Sequence, residues 1–367
     1  MPERPPQAGI GRVSARAFRV PTDAPEADGT FRWDATTMVL AEVEAGGETG
    51  IGYTYADAAA AHLASGMLAE AIQGLDALDV PAAWAAMQAR VRNVGRDGVA
   101  ATAISAVDAA LWDLKGRLLG LPVATLLGRA RDAVPIYGSG GFTTYSDEQL
   151  RGQLAGWVER DGCAWVKMKI GTDPARDPHR VAVARRAIGE AGLFVDANGA
   201  YGRKQALSMA RGFAGEGVLW FEEPVSSDDL ADLRELRAGV PAPMEVAAGE
   251  YAYSLDYVRG MVQAEAVDVM QVDASRCGGI TGFMRAAALC EAFHLALSGH
   301  CAPALHVHPA SAAPGLRHLE WFHDHVRIEH MLFDGAPVPQ GGAIRPDLSR
   351  PGLGLALRQA DAERYAL

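Results

Sequence analysis

From residue 134 onward the chain repeats one pattern: a short apolar run, then a stretch whose apolar residues recur about every 3.6 positions. The runs are VPIYGSGG from 134, WVKMKIG from 165, LFVDANG from 193, VLWFEEP from 218, MEVAAGE from 244, AVDVMQVD from 266, HLALSGH from 294 and HLEWF from 318. Successive runs start 22 to 31 residues apart, the length of a strand, a helix and their loops. Segments such as SDEQLRGQLAGWVERDG and ITGFMRAAALCEAFH have helical spacing. Eight strands alternating with helices predict an α/β protein built on a closed parallel barrel.

The first 130 residues follow another rule. VSARAFRV, TTMVLAEVEA and TGIGYTYA predict three antiparallel strands, with a turn at the GG of EAGGETG. Helical patterns follow over about 56–76, 80–95 and 98–120. The expected organisation is an N-terminal α+β capping domain over 1–130, a barrel over 131–325, and a C-terminal segment over 326–367. In that last segment VRIEHMLFDG and GGAIRPDL predict a hairpin.

Composition excludes several functions. The formal net charge is -11, and no basic run offers a path for a phosphate backbone, so nucleic acid is not an expected partner. No run of 18 apolar residues predicts a membrane span. The N-terminal MPERPPQAGIGR lacks the apolar centre of a signal peptide. Cys163, Cys277, Cys290 and Cys301 are scattered without a CxxC, which predicts reduced thiols in a cytoplasmic protein.

The predicted strands end in ionisable groups. VKMK puts Lys167 and Lys169 two apart, on one face of the second barrel strand. The third ends in VDAN with Asp196, the fourth in FEEP with Glu222 and Glu223, and the fifth in AAGE with Glu250. The sixth ends in QVD with Asp273, the seventh in SGH with His300, and the eighth holds Glu320 in HLEW. The C-terminal strand ends form the active-site face of such a barrel. Three carboxylates from neighbouring strands, Asp196, Glu222 and Glu250, make an all-oxygen site suited to Mg²⁺, with Mn²⁺ as an alternative.

Two buried lysines side by side need compensation. The three carboxylates with one divalent ion leave one negative charge. A carboxylate substrate makes two, and removal of the proton beside its carboxylate makes three, with Lys167 and Lys169 as countercharge. Each lysine is expected to lower the other's pKa, which would suit a base. Asp273 and His300, on adjacent strands, form a second acid/base pair.

The whole set, in order, resembles the mandelate racemase subgroup of the enolase superfamily, over most of the chain. The resemblance implies an N-terminal capping domain, a (β/α)7β TIM-type barrel and a C-terminal return to the cap. It implies Lys169 as base, Lys167 against the substrate carboxylate, and Asp196, Glu222 and Glu250 as metal ligands. It further implies an Asp273–His300 dyad, Glu320 hydrogen-bonded to the substrate carboxylate in the intermediate, and Asn198 and Arg276 as supporting groups. The muconate-lactonising subgroup fits less well, because its second base is a lysine ending the sixth strand, where this chain has Asp273.

The activity so implied is Mg²⁺-dependent removal of the proton alpha to a small-molecule carboxylate, through an enediolate. Dehydration of an acid sugar to a 2-keto-3-deoxy acid comes first. Racemisation or epimerisation of a 2-hydroxy acid is the alternative, and a non-catalytic metal and sugar-acid binder is the reading from another class. A metal-dependent hydrolase is disfavoured, since VPIYGSGG lacks the HxH of such enzymes. A homo-oligomer, dimer or octamer, is implied.

Other patterns weigh less. His306 and His308 in HVH, and His323 and His325 in HDH, are read as loop residues outside any metal site, with His306 at most on the pocket rim. GSGG at 138–141 and GIG at 50–52 lack the context of a nucleotide site. TDAPEADGTFRWDATT is long and polar, as a lid would be, and Phe31 and Trp33 are its candidates to close over substrate.

Overall fold

The computed structural model describes residues 8–367. Residues 1–7, part of the stretch read above against a signal peptide, lie outside the described residues. Strands β1 (Arg12–Ala27), β2 (Arg32–Ala45) and β3 (Glu48–Tyr55) form one antiparallel sheet, with Phe18 opposite Met38. Both faces of this sheet are covered. Val39, Ala41 and Val43 join the cap's own core, whereas Met38 and Leu40 join the core shared with the barrel. That double burial is why MVLAEV reads as a nearly continuous apolar run.

The helix expected over 56–76 is α1 (Ala59–Leu63), a π-helical turn (Ala64–Leu68) and α2 (Ala69–Ile72). Then come α3 (Val80–Arg90) and the mostly buried α4 (Val99–Leu119). The GIG of β3 lies directly on α4. A Cβ at Gly52 would sit 2.2 Å from the Ala106 carbonyl oxygen and 2.3 Å from the Ala110 nitrogen. These glycines allow close packing of strand on helix.

After α5 (Val123–Leu127) the barrel begins. Its strands are β4 (Val134–Gly140), β5 (Trp165–Lys169), β6 (Gly192–Asp196), β7 (Val218–Glu222), β8 (Glu245–Ala248), β9 (Val269–Val272), β10 (Ala296–Gly299) and β11 (Leu316–Phe322). All pair in parallel in sequence order, and β11 pairs with β4 to close the ring. The connecting helices are α6 (Asp147–Glu159), α7 (Asp177–Ile188), α8 (Arg203–Gly215), α9 (Leu230–Gly239), α10 (Leu255–Gln263), α11 (Gly279–Ala292) and α12 (Pro303–Ala312). A Ser146–Gln149 capping box starts α6, and Asp229 and Ser254 cap α9 and α10. Inside the ring, Tyr137, Trp165, Phe194, Trp220 and His318 form an aromatic layer, with ring centroids 4.8–6.5 Å apart. Burial drives His318 down to about 3, so it sits there as a neutral ring.

Two expectations fail. VRIEHMLFDG is not half of a hairpin. It lies mostly in α13 (His323–Leu332), whose Ile328 and Leu332, four apart, are fully buried. Only β12 (Phe333–Asp334) follows, and it pairs with β14 (Ala356–Leu357), while β13 (Ala343–Ile344) adds to β4. A short helix, α14 (Gln359–Ala362), lies near the end. The supposed lid is not a long loop either. β1 and β2 run through it, with a register shift between Pro21 and Glu26, leaving only 28–31 as the turn.

Cap and barrel interlock through buried polar groups. Asp113 accepts from the Ile51 nitrogen (2.8 Å), the Leu353 nitrogen (2.6 Å) and Arg117 Nε (2.7 Å). Ser105 Oγ accepts from the Gly278 and Gly279 nitrogens and Asp108 Oδ2 from the Thr281 nitrogen, so cap helix α4 caps barrel helix α11. Glu329 accepts from the Tyr53 hydroxyl (2.6 Å) and the Ala304 nitrogen (3.0 Å), and burial pushes it up to about 8.

Gly52→Val should destabilise the protein by about 1–3 kcal/mol or more through overpacking, read as a lower urea midpoint. Glu329 predicts a pH effect. Its folded value is above its ordinary one near 4.5, so stability falls as pH rises through that window. Glu329→Gln should therefore gain melting temperature relative to wild type at pH 9 compared with pH 5. An unchanged difference would remove Glu329 from that role.

Candidate active site

Because side chains alternate along a strand, residues two apart share the barrel interior. This stacks an ionic layer on the aromatic one: Tyr137 below Ser139, Phe194 below Asp196, Trp220 below Glu222 and His318 below Glu320. Lys167 is fully buried at the centre. Its Nζ lies 2.5 Å from Glu222 Oε1, 2.8 Å from Glu320 Oε1 and 3.5 Å from Asp196 Oδ2, and 5.5 Å from the centroid of the Tyr137 ring. Lys169 Nζ is 2.5 Å from Asp196 Oδ2. The KxK pair thus faces inward, as the alternation predicts.

Asp196, Glu222 and Glu250 each place one carboxylate oxygen within 4.8 Å of the others, and all three are buried. Glu250 Oε2 and the nearby Glu223 Oε1 and Asn198 Oδ1 are buried without hydrogen-bond partners. Burial, then Asp196, push Glu222 up to about 8 even with Lys167 in contact. The cluster is therefore short of positive charge and has oxygens to spare, and its donors are all hard. A divalent ion of the Mg²⁺ or Mn²⁺ type fits it.

At the other end of the trio, His300 Nδ1 meets Asp273 Oδ2 at 2.8 Å, and its Nε2 lies 3.4 Å from Glu250 Oε2 and 3.6 Å from Glu320 Oε2. Burial alone would lower His300, but Cys301, Glu250, Glu320 and Asp273 outweigh it and hold the imidazole well above its ordinary range. Burial raises Asp273, but the His300 hydrogen bond and charge bring it well below the usual carboxylate range. Arg276 Nη1 reaches the Glu250 carbonyl (3.2 Å) and Oε1 (3.4 Å). The Asn198 nitrogen donates to Asp196 Oδ1 at 2.9 Å.

The expected depression of the lysines is overturned. Burial and the like charge of Lys167 lower Lys169, but Asp196, with Glu250 and Glu222, outweighs both and raises it. Lys167 is raised too, since Glu222 and Glu320 outweigh its burial. The direct carboxylate contacts, invisible in the sequence, decide the sign.

The hairpin turn reaches the C-terminal strand ends. Thr172 Oγ1 donates to the Asp28 carbonyl at 2.6 Å, Thr30 Oγ1 to the Asn198 carbonyl at 3.4 Å, and the Thr143 nitrogen to the Ala27 carbonyl at 2.9 Å. Lys169, Glu250 and His300 are only 4–5% exposed beneath it. Trp33 packs edge-on to Phe142 at 5.5 Å, in an apolar cluster with Tyr145, Cys301 and Phe322. Phe31 is not brought to the carboxylates. It is exposed at the tip and stacked on Trp33.

HVH and HDH lie in helices α12 and α13, not in loops. His306 is fully buried, and its Nε2 accepts from the Ala274 nitrogen at 2.7 Å. His308 accepts from the Ala124 nitrogen at 3.2 Å. His325 stacks on Tyr55 with centroids 3.4 Å apart.

The sequence reading missed several groups. Ser139 Oγ donates to Glu320 Oε1 (2.6 Å), Trp220 Nε1 to Glu222 Oε2 (2.9 Å) and Gln271 Nε2 to the same Glu222 oxygen (3.2 Å). Cys301 Sγ lies 3.3 Å from both His300 Nε2 and Glu320 Oε2. Trp220 and Gln271 precede a site residue by two, which was a usable signal. The serine stood inside a glycine cluster, and the cysteine beside the histidine.

An eight-stranded barrel whose strand ends gather three carboxylates, two lysines and a histidine–aspartate pair defines a metal-dependent enzyme of the enolase type. The family model "Enolase C-terminal domain-like" matches residues 149–362, and "Mandelate racemase / muconate lactonizing enzyme, N-terminal domain" matches 15–128. The chain belongs to the mandelate racemase/muconate lactonizing enzyme family of the enolase superfamily. It is 33% identical over 314 residues to L-talarate/galactarate dehydratase of Salmonella typhimurium, covering 81% of this chain and 77% of that one. It is 32% identical over 357 residues to 3,6-anhydro-alpha-L-galactonate cycloisomerase of Streptomyces coelicolor, covering 95% and 97%. Among solved structures, a mandelate racemase/muconate lactonizing enzyme-like protein from Rubrobacter xylanophilus is 51% identical with a TM-score of 0.96, over 98% and 100% of the two chains. A racemase from Streptomyces coelicolor with bound magnesium is 31% identical with a TM-score of 0.91, over 98% and 100%.

Trp220 and Gln271 orient Glu222 from behind. Trp220→Phe and Gln271→Leu should each weaken Mg²⁺ binding by about 10–100-fold, read by isothermal titration calorimetry. Unchanged affinity in both would show that Glu222 needs neither group.

Proposed function

We propose that this enzyme dehydrates an acid sugar to a 2-keto-3-deoxy acid, with magnesium held by Asp196, Glu222 and Glu250. The observation that carries this reading is the placing of two proton-handling groups at opposite ends of the carboxylate trio, Lys169 against Asp196 and His300 against Glu250. Relatives named as talarate/galactarate, arabinonate and gluconate dehydratases support the substrate class.

In this reading Lys169 takes the proton alpha to the substrate carboxylate. With Asp196 engaged as a ligand, Lys169 keeps Lys167 as its near neighbour, a like charge that favours the neutral amine. Magnesium, when bound, supplies positive charge that stabilises the developing enediolate. Lys167 and Glu320 hold the substrate carboxylate. His300, held protonated beside Asp273, gives its proton to the β-hydroxyl, which leaves as water, and the resulting enol becomes the keto acid. Asn198 and Arg276 hold Asp196 and Glu250 in place, and Trp33 lines the closed side with the hairpin. The same reading takes 1–130 as cap, 131–325 as catalytic barrel and 326–367 as the returning segment, in a cytoplasmic homo-oligomer. Four free, buried cysteines support that setting.

The test is a screen of mono- and diacid sugars with Mg²⁺ in D₂O, read by proton NMR and a keto-acid assay. Keto acid should form, cease on chelation and return with Mg²⁺. Lys169→Ala and His300→Asn should each lower kcat by about 10²–10⁴-fold. Deuterium at the alpha carbon without keto acid would replace dehydration with racemisation or epimerisation. Full metal binding without exchange on any acid would point to a binder.

A further inference from the structure

A second group of potential ligands lies away from the carboxylate trio, where the hairpin meets the barrel. Asp23 and Glu26 lie on β1, and His323 is the first residue of α13. One oxygen of each carboxylate and a ring nitrogen of His323 lie within 4.8 Å of one another. His323 Nε2 is 3.0 Å from Asp23 Oδ2 and 3.2 Å from Oδ1.

Glu26 is the unusual member. It is fully buried; Oε2 accepts from Trp33 Nε1 at 2.7 Å, while Oε1 has no partner. A buried carboxylate oxygen without a partner is costly. Asp324 lies close by and is also buried, paired with Arg327 at 2.7 Å. Arg327 makes no hydrogen bond to Glu26. Its Nη2 is taken by Asp324 Oδ1 (2.7 Å) and the Pro21 carbonyl (2.6 Å).

We propose that Asp23, Glu26 and His323 form a second divalent-cation site that fastens the cap hairpin to the barrel. One imidazole with two carboxylates is a borderline donor set, suited to Zn²⁺ or Mn²⁺ more than to Mg²⁺. It differs from the trio, which has no nitrogen ligand. Asp23 and His323 are partly exposed, leaving the ion open to water and exchange. Because two ligands come from β1 and one from α13, the ion would be bound only while the hairpin is seated.

The test is equilibrium dialysis of chelator-stripped enzyme against Zn²⁺ and, separately, Mn²⁺, counting ions per chain. Two ions are expected for wild type and one for His323→Gln and for Asp23→Asn, with calorimetric Mg²⁺ affinity unchanged in both. Asp23 is exposed enough that its variant keeps the fold, which circular dichroism checks. On Mn²⁺, electron spin echo spectroscopy should show a nitrogen coupling that His323→Gln removes. One ion per chain in wild type, or a second ion that survives both substitutions, would overturn the site.

Discussion

The burial of Lys167 governs the arrangement of everything around it. An ammonium without solvent access is tolerable only with close opposite charge, since removing an ion from water costs several kcal/mol even after relaxation. Three carboxylates from β6, β7 and β11 supply that charge. Two of them are fixed by neutral groups, Glu222 by the Trp220 indole and the Gln271 amide and Glu320 by the Ser139 hydroxyl. The aromatic layer below keeps water from the underside. Asp196 is shared by both lysines, so its truncation would strip Lys169 of its close carboxylate and leave that charge buried.

Much of this was legible in the sequence because a strand has period two and a barrel puts its strand ends on one face. Lys167 and Lys169, then Asp196, Glu222, Glu250, Asp273, His300 and Glu320, are spaced by one strand–helix unit each, and the fold brings them together. Distances were not legible. Two neighbouring lysines suggest mutual repulsion, but whether a carboxylate stands 2.5 Å away depends on the neighbouring strand. The C-terminal helix was missed because the Asp-Gly after MLF looks like a hairpin turn, although Ile328 and Leu332 already had helical spacing. The hairpin was read as a loop because its residues are polar. Its strands are long because they extend beyond the cap to reach the barrel.

Cap and barrel are joined at polar points as well as by apolar packing. Asp113 ties β3, α4 and the segment around Leu353 together, and Ser105 and Asp108 supply the missing cap of α11. The orphan N–H groups of a barrel helix are thus satisfied from the other lobe. The geometry of the strand ends therefore depends on residues that never approach the charged cluster, and a change in α4 is felt there through α11.

The aromatic layer of Tyr137, Trp165, Phe194, Trp220 and His318 also fixes the direction of traffic. It plugs the barrel beneath the charged groups, so the site is a cul-de-sac. A polar thread still joins the two layers, because the Gln271 amide donates both to Glu222 above and to the Tyr137 hydroxyl below. The approach left to a substrate is thus the C-terminal face of the barrel, where the turn at 28–31 is bonded to the loops after β5 and β6.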